Sequence, residues 1–444
     1  MSSNDSLETP REASEAPRAE SGGKDKKKSL ILNAFVEMCS GHQSPGLWRH
    51  PDDESHRFND LDYWTELAQT LEKAKFHGIF IADVLGGYDV YGGPKNLDPA
   101  IASAAQWPVN EPLAIVTGYL DSAARNLGHT EQPQHDERYA IAEEYLEVMY
   151  KLWESSWRDD AVVRDAKKAI YTDPSRVREI NHVGKYFNVP GPHICQPSRQ
   201  RTPVLMQAGT SSSGKRFAAK NAEAIFVAGH SPSVVANSIR DIRAQAKDFG
   251  RDEKSVKFLA MICPVLGKTE EEAVAKYEDY LSYGSEDGAF ALFGGWTGID
   301  LAKYADDEEL RHVESNAIRS AVEGWSKASP GVAKWTKHTV ARHMMIGGLG
   351  ATVVGTPAQV ADEFERWVSE GDVDGFNIAY AITPGSFNDV IELLLPELKK
   401  RGLFWDDYEA PGGTYRENLY SKKGGSGLPS DHPAHGYRWR AKDN

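Results

Sequence analysis

Apolar side chains recur along this chain at two alternating periods, one of strands and one of helices. SLILNAFVEM is a continuous apolar run that predicts a buried strand over 31–36. DYWTELAQTLEKAKF then places Leu67, Leu71 and Ala74 at helical spacing, and GIFIAD (78–83) reads as a second buried strand ending in an acid. The rhythm returns after residue 137. ERYAIAEEYLEVMYKLWE (137–154) carries Ile141, Tyr145, Val148 and Leu152 on one helical stripe. TPVLMQAG (202–209), AIFVAG (224–229), VKFLAMICPVLG (256–267) and DGFNIAYAI read as strands, with helices SGKRFAAKNA and SPSVVANSIRDIRAQAKDFG between the first three. TEEEAVAKYEDYL (269–281) opens with a Thr N-cap and acids in its first turn. TPAQVADEFERWVSEG (356–371) opens with Thr356 as cap and Pro357 at the first helical position. FNDVIELLLPELKKRG (387–402) stops at Gly402.

Alternating helices and continuously apolar strands predict an α/β fold with a parallel sheet covered by helices. Counting strands at 31–36, 78–83, 115–117, 203–208, 224–229, 258–265 and 375–381 yields seven, where a (β/α)₈ TIM barrel has eight. The third is only three residues long. A parallel crossover takes roughly a dozen residues, usually helical, yet 84–114 offers at most one short helix around 98–106. The expected architecture is therefore a (β/α)₈ barrel with insertions that is incomplete near EPLAIVTGYLDSAA. Residues 1–28, rich in Ser, Glu, Lys and Pro, are expected to be a disordered tail; 29–406 the barrel; and 407–444 a surface-wrapping C-terminal tail.

Composition narrows the function classes. The 444 residues carry a net charge of −14, and KDKKK near the N-terminus is the only dense basic cluster, so no nucleic-acid or anionic-membrane partner is expected. No window approaches the roughly 18 continuous apolar residues of a membrane helix, and the N-terminus lacks the apolar stretch of a secretory signal. Three cysteines in so long a chain point to a reducing, cytoplasmic setting rather than a disulfide framework.

The strongest local signal is PVLMQAGTSSSGKRFAA, a buried strand running through small polar residues into a helix. Free backbone N–H groups, hydroxyls and the helix dipole there suit an anion such as a phosphate, against the alternative of an ordinary capped turn. Gly209–Lys215 also matches most of a nucleotide-binding P-loop, but Arg216 stands where a Mg²⁺-holding Ser or Thr is needed. Asp83 ends the second strand, at the expected barrel mouth, in either a functional or a capping role. Cys39 and His42 follow the first strand on the same face. Cys39-x2-His42 and His193-x-Cys195 do not follow a zinc-finger spacing, so no metal is expected. His135 and Tyr139 begin a helix, where they either cap it or contact a ligand.

GHQSPGLWRHP, DYWTELAQTLEKAKFHGIFIADV, YDVY, VNEPL, HDERYAIAEEYLEVMYKLWE, INHVGKYFNVPGPHICQPSRQRTPVLMQAG, VGTPAQVADEF and PELKKRGLF together resemble the bacterial-luciferase-like flavin monooxygenases. The branch is that of nitrilotriacetate, dibenzothiophene-sulfone and long-chain alkane monooxygenases. The resemblance implies a TIM barrel and a two-component enzyme. A separate NAD(P)H:flavin reductase supplies FMNH2, which reacts with O2 to a flavin hydroperoxide that oxygenates an apolar or sulfur-containing small molecule. It further implies a homo-oligomer, dimer or tetramer. On the matching motifs, Gly209, Thr210 and Ser211 would hold the FMN phosphate, with Asp83, Thr117 and Tyr139 against the flavin or its ribityl chain. Cys39, His42, Tyr88 and Gln106 would line the substrate pocket, joined by Tyr119, which stands where relatives carry His.

One departure is large. In the family VNEPL leads into a helix, the whole third strand and a further helix before the fourth strand; here Leu113–Ala114 joins almost directly to Ile115–Thr117. Roughly fifty residues, about one barrel unit, are missing. Two other functions therefore stand beside the monooxygenase: a catalytically impaired splice form or flavin-binding, subunit-pairing relative, and a barrel that binds phosphate sugars through GTSSSG alone.

Overall fold

The computed structural model describes residues 29–82, 87–93, 121–126, 128–209, 211–310, 322, 325 and 331–440. Its centre is one sheet of seven parallel strands: β1 (Ile31–Glu37), β2 (Gly78–Ala82), β3 (Met206–Gln207), β4 (Ala224–Val227), β5 (Lys257–Leu266), β6 (Ala351–Gly355) and β7 (Gly375–Ile378). The order across the sheet is β2-β1-β7-β5-β4-β3, and β6 pairs with the last five residues of β5, where Ala351 faces Ile262 and Gly355 faces Leu266. The helices that follow these strands are α1 (Leu61–Lys73), α2 (His135–Tyr150), α3 (Ser212–Asn221), α4 (Pro232–Asp248), α5 (Glu270–Tyr283), α6 (Glu286–Thr297), α7 (Lys337–Met344) and α8 (Pro357–Gly371).

Alternation along the strands separates two cores. Leu32, Ala34 and Val36 of β1 point outward and pack with Leu67, Leu71, Ile239, Phe364 and Trp367 of the covering helices. Phe35 points the other way, and its ring stacks on Phe80 of β2 at 5.4 Å and on Phe226 of β4 at 5.5 Å. Rings from β2 and β4 meet although three strands stand between them in the order, so the sheet curls round an interior as a barrel does. The Asn33 amide donates to the Asn377 carbonyl oxygen at 3.0 Å across the paired β1 and β7, one layer below the rings.

Among the described residues β2 and β3 are each paired on one side only. These are the strands that flank the short join found in the sequence. The expected strand at 115–117 and the helix at 98–106 lie outside the described residues. The strand β6 was not foreseen from ATVVG, five residues of which three are only half-buried; a run that short carries no period. Helix α6 was missed as well, because FALFGG is apolar all round and contains two glycines, and so was α7, whose eight residues KHTVARHM show too little of a helical period.

The segment after Gly402 crosses the N-terminal end of the barrel. Tyr415 donates its hydroxyl proton to Asn33 at 3.1 Å, and Leu419 packs against Ile31, Ala224 and Leu259. Arg416 is fully buried there, its guanidinium forked onto Glu223 at 2.7 Å through two nitrogens. The other end, where β1 and β3 terminate, is left for chemistry.

Candidate active site

Glu37, last residue of β1, shares the inward face with Phe35, opposite Ala82 in the register. The chain then turns through Cys39, His42 and Gln43, all buried. Ser44 fixes this turn by donating to the Tyr380 carbonyl at 3.1 Å and accepting the Gly347 N–H at 3.3 Å. His42 meets Tyr88, with Nε2 and the phenol oxygen 3.4 Å apart and ring centroids 5.5 Å apart. Tyr88 in turn lies against Gly295 of α6, where a Cβ would overlap its ring. Three of the sequence-derived pocket residues, Cys39, His42 and Tyr88, are thus buried at one end of the barrel, two of them in contact. Gln106 and Tyr119 lie outside the described residues.

The electrostatics of this end are set by Glu37. Burial pushes its carboxyl up to about 8, and the Tyr380 hydroxyl acts against that shift, although neither oxygen closes a hydrogen bond of ordinary geometry among the described residues. It is therefore neutral near pH 7. Burial likewise raises the Cys263 thiol of β5 to about 12, with Glu37 adding to the shift.

The second half of the site follows β3. Ser211 caps α3, its hydroxyl accepting the Gly214 N–H at 3.1 Å, which leaves other N–H groups of the first turn free to meet an anion. Tyr139 of α2 lies above this loop. A Cβ on Gly214 would sit 2.6 Å from its hydroxyl oxygen, and one on Gly209 would overlap it. Gln207 donates to the Gly209 carbonyl at 3.3 Å. Tyr139, Gly209 and Ser211 thus lie together at this loop; Thr210, Asp83 and Thr117 lie outside the described residues. Lys215 pairs with Asp241 at 2.7 Å, so its charge is already engaged on α4. His135 stacks edge-on with Tyr139 at 5.2 Å, and Asp136 accepts from Ser213 at 2.6 Å. Among the described residues no group of three His, Cys, Asp or Glu side chains is placed to hold a metal ion, and no helix is long and apolar enough to cross a membrane.

Sequence reasoning overlooked Glu37, Gln43 and Gly295. EMCSGHQS carried the signal for the first two: an acid on the inward phase of an apolar strand, then an amide next to a histidine. Gly295→Ala is expected to push Tyr88 off His42 and cost about 1–3 kcal/mol by overpacking; the tyrosine's ultraviolet signature and a thermal melt would report it.

Residues 112–374 match the luciferase-like monooxygenase family. The chain is 45% identical to a dimethyl-sulfide monooxygenase of Hyphomicrobium sulfonivorans over 458 positions, covering 93% of this chain and 94% of the other. To a long-chain alkane monooxygenase of Geobacillus thermodenitrificans it is 44% identical, with 93% and 98% covered. A crystal structure of DmoA from Hyphomicrobium sulfonivorans superposes with a TM-score of 0.84 at 45% identity, covering 93% and 96%. A riboflavin lyase, crystallised with modified FMN and riboflavin, does so with 0.77 at 30% identity, covering 93% and 100%. Shared sequence and shared barrel agree: the chain belongs to the luciferase-like monooxygenase family.

Proposed function

We propose that the chain is built for FMN-dependent, two-component oxygenation of a small apolar or sulfur-containing molecule, and that it lacks one strand–helix unit of the barrel. The observation that carries the first part is the loop under Tyr139. Gly209 and Gly214 leave room for the tyrosine hydroxyl, and Ser211 holds the first turn of α3 open, so backbone N–H groups can take a phosphate. Thr210, Asp83 and Thr117 would complete the hold on the phosphate, ribityl chain and ring. When bound, reduced FMN supplies the activation of O2 and delivery of one oxygen atom to the organic substrate. The protein's own part is to place that substrate among Cys39, His42 and Tyr88, joined by Gln106 and Tyr119, and to keep water away. The described walls suit this, since Cys39, His42, Gln43 and Tyr88 are each under a tenth exposed. A separate NAD(P)H:flavin reductase as partner, and a dimer or tetramer, follow from the same reading.

The missing unit is supported by β2 and β3, each paired on one side only among the described residues, which border the join at Ala114–Ile115. It is supported too by alignment length, because 93% of 444 residues is about 413, about 45 fewer than the 458 aligned positions. An unpaired edge leaves backbone groups to solvent and removes the strands that would carry flavin contacts.

Titration of the purified chain with FMN, oxidised and reduced, checks both parts. The chain as it stands is expected to bind weakly, and a version with a relative's unit inserted between Ala114 and Ile115 to bind at least about tenfold more tightly. Normal FMNH2 affinity together with substrate-dependent oxygenation by the uninserted chain would end the idea of a crippling deletion. In the inserted version, Gly209→Val is expected to weaken FMN binding about tenfold or more by driving Tyr139 into the phosphate position; an unchanged fluorescence titration would remove the loop from the site. Tight binding of sugar phosphates but not FMN would favour the phosphate-sugar barrel instead.

A further inference from the structure

Four polar atoms at the barrel mouth have no partner among the described residues: both oxygens of Glu37 and both amide atoms of Gln43. Leaving a buried polar group unsatisfied costs roughly 1–3 kcal/mol, so two such side chains at one end of one barrel ask for an occupant. Glu37 is 5% exposed and Gln43 2%. Both belong to β1 and the turn after it, and Ser44 ties that turn to Tyr380 and Gly347. Gly348, with φ of 58°, leaves the space that the Gln43 carbonyl oxygen occupies, and Leu292 of α6 closes the same corner. Phe35 shares the inward face of β1 with Glu37, Ala82 faces it in the register, and the Tyr380 hydroxyl and the Cys263 thiol are the polar groups that act with it.

We infer that Glu37 and Gln43 form a polar subsite that receives a hydrogen-bond acceptor, an oxygen on a small neutral organic molecule of the sulfoxide, sulfone or carbonyl kind. The carboxylic acid donates to that oxygen, and the amide offers a second donor from the loop. The word substrate rests on the monooxygenase reading; the subsite itself does not. A site that hydrogen-bonds a ligand rejects the analogue lacking the acceptor far more strongly than an apolar pocket rejects a missing methylene. Glu37 would then decide between polar and purely hydrocarbon substrates. The ionisable groups that act with Glu37 are Cys263 from β5, Tyr380 after β7 and Tyr63 from α1, with Cys39 and Asp53 acting on Tyr380 behind it. All are acids, so none holds Glu37 ionised as a cation would.

The test uses the full chain without flavin, with diethyl sulfoxide and diethyl sulfide as probes. The infrared carbonyl band of a protonated acid is expected in the wild type at pH 7 and absent from Glu37→Gln. Diethyl sulfoxide should shift that band and bind about tenfold more tightly than the sulfide. Glu37→Met should bind the two equally, whereas Glu37→Gln, still a donor, should keep the preference. Raising the pH through about 8 should abolish the preference in the wild type, because a carboxylate cannot donate, and leave it intact in Glu37→Gln. No acid band from Glu37, equal binding of the two probes by the wild type, or binding of neither overturns the subsite. FMN affinity, measured separately, keeps the outcomes apart. A chain that binds no FMN but prefers the sulfoxide retains the subsite and loses the cofactor reading, and the converse result does the opposite.

Discussion

Replacing Arg416 with methionine is expected to destabilise the chain by about 3–5 kcal/mol. The guanidinium is fully buried and satisfied on four sides. It forks onto Glu223 through Nε and Nη2 at 2.7 Å, and reaches the carbonyls of Thr202 at 2.8 Å and Ser426 at 2.7 Å. Glu223 is buried to the same degree and also accepts the Leu205 N–H at 3.3 Å. Removing the arginine strands a carboxylate inside the protein, which costs far more than the pair contributes when intact. Thr202 and Leu205 lead directly into β3, the short edge strand that presents the Gly209 loop. Loss of the arginine should therefore loosen that loop as well as the fold. Denaturant unfolding measures the first effect and amide exchange over 205–209 the second. Adding Glu223→Gln to Arg416→Met should recover part of the loss, because no unpaired charge remains. If the double variant were no more stable than the single one, stranded charge would not be the cause.

The second large effect is a dependence on pH that a single residue produces. Folding raises the Glu37 carboxyl from an ordinary 4.5 to about 8. Between those values the unfolded chain has released a proton that the folded chain retains, so stability falls as pH rises across that window and levels off above it. Glu37→Gln removes this slope. The variant is expected to gain on the wild type steadily from about pH 4.5 to about 8, by on the order of a few kcal/mol in total. Buried histidines bend both curves alike: His77 and His230 are held down to about 3 and favour the folded state less as pH falls. They cancel in the difference. Unfolding curves for both proteins at a series of pH values decide the matter, and parallel profiles would mean that Glu37 is ionised in the folded chain.

The two effects bracket the molecule. Arg416 closes the N-terminal end of the barrel, where a buried charge is tolerated because every guanidinium nitrogen is hydrogen-bonded. Glu37 lies at the opposite end, where a buried acid closes no hydrogen bond of ordinary geometry among the described residues. Proteins keep unsatisfied groups of the second kind mainly where a ligand arrives, which is why the same residue appears both as a liability to stability and as the proposed recognition element.

Local pattern determined much of this. Thr356 with Pro357 placed the start of α8 to the residue, and Thr269 did so for α5, because capping and a fixed φ act over one turn. The strand β1 was legible from its continuous apolar run, because only a strand buried on both faces keeps both phases apolar, although the run does not say which phase points inward. The strand count and the short join at Ala114–Ile115 pointed to an incomplete barrel, and motif order pointed to the Gly209–Ser211 loop and to Cys39, His42 and Tyr88. What only the tertiary structure decided were relations between distant segments. No local rule says that Phe35, Phe80 and Phe226 stack across the barrel, that β6 pairs beside β7 on β5, or that Arg416 finds Glu223 from 193 residues away. Nor does a lone acid in an apolar run reveal whether it will be matched. Glu37 follows the apolar run in the sequence, but its inward position and its neutrality depend on how deeply the strands and helices around it bury it, and that is settled only when the whole barrel has folded.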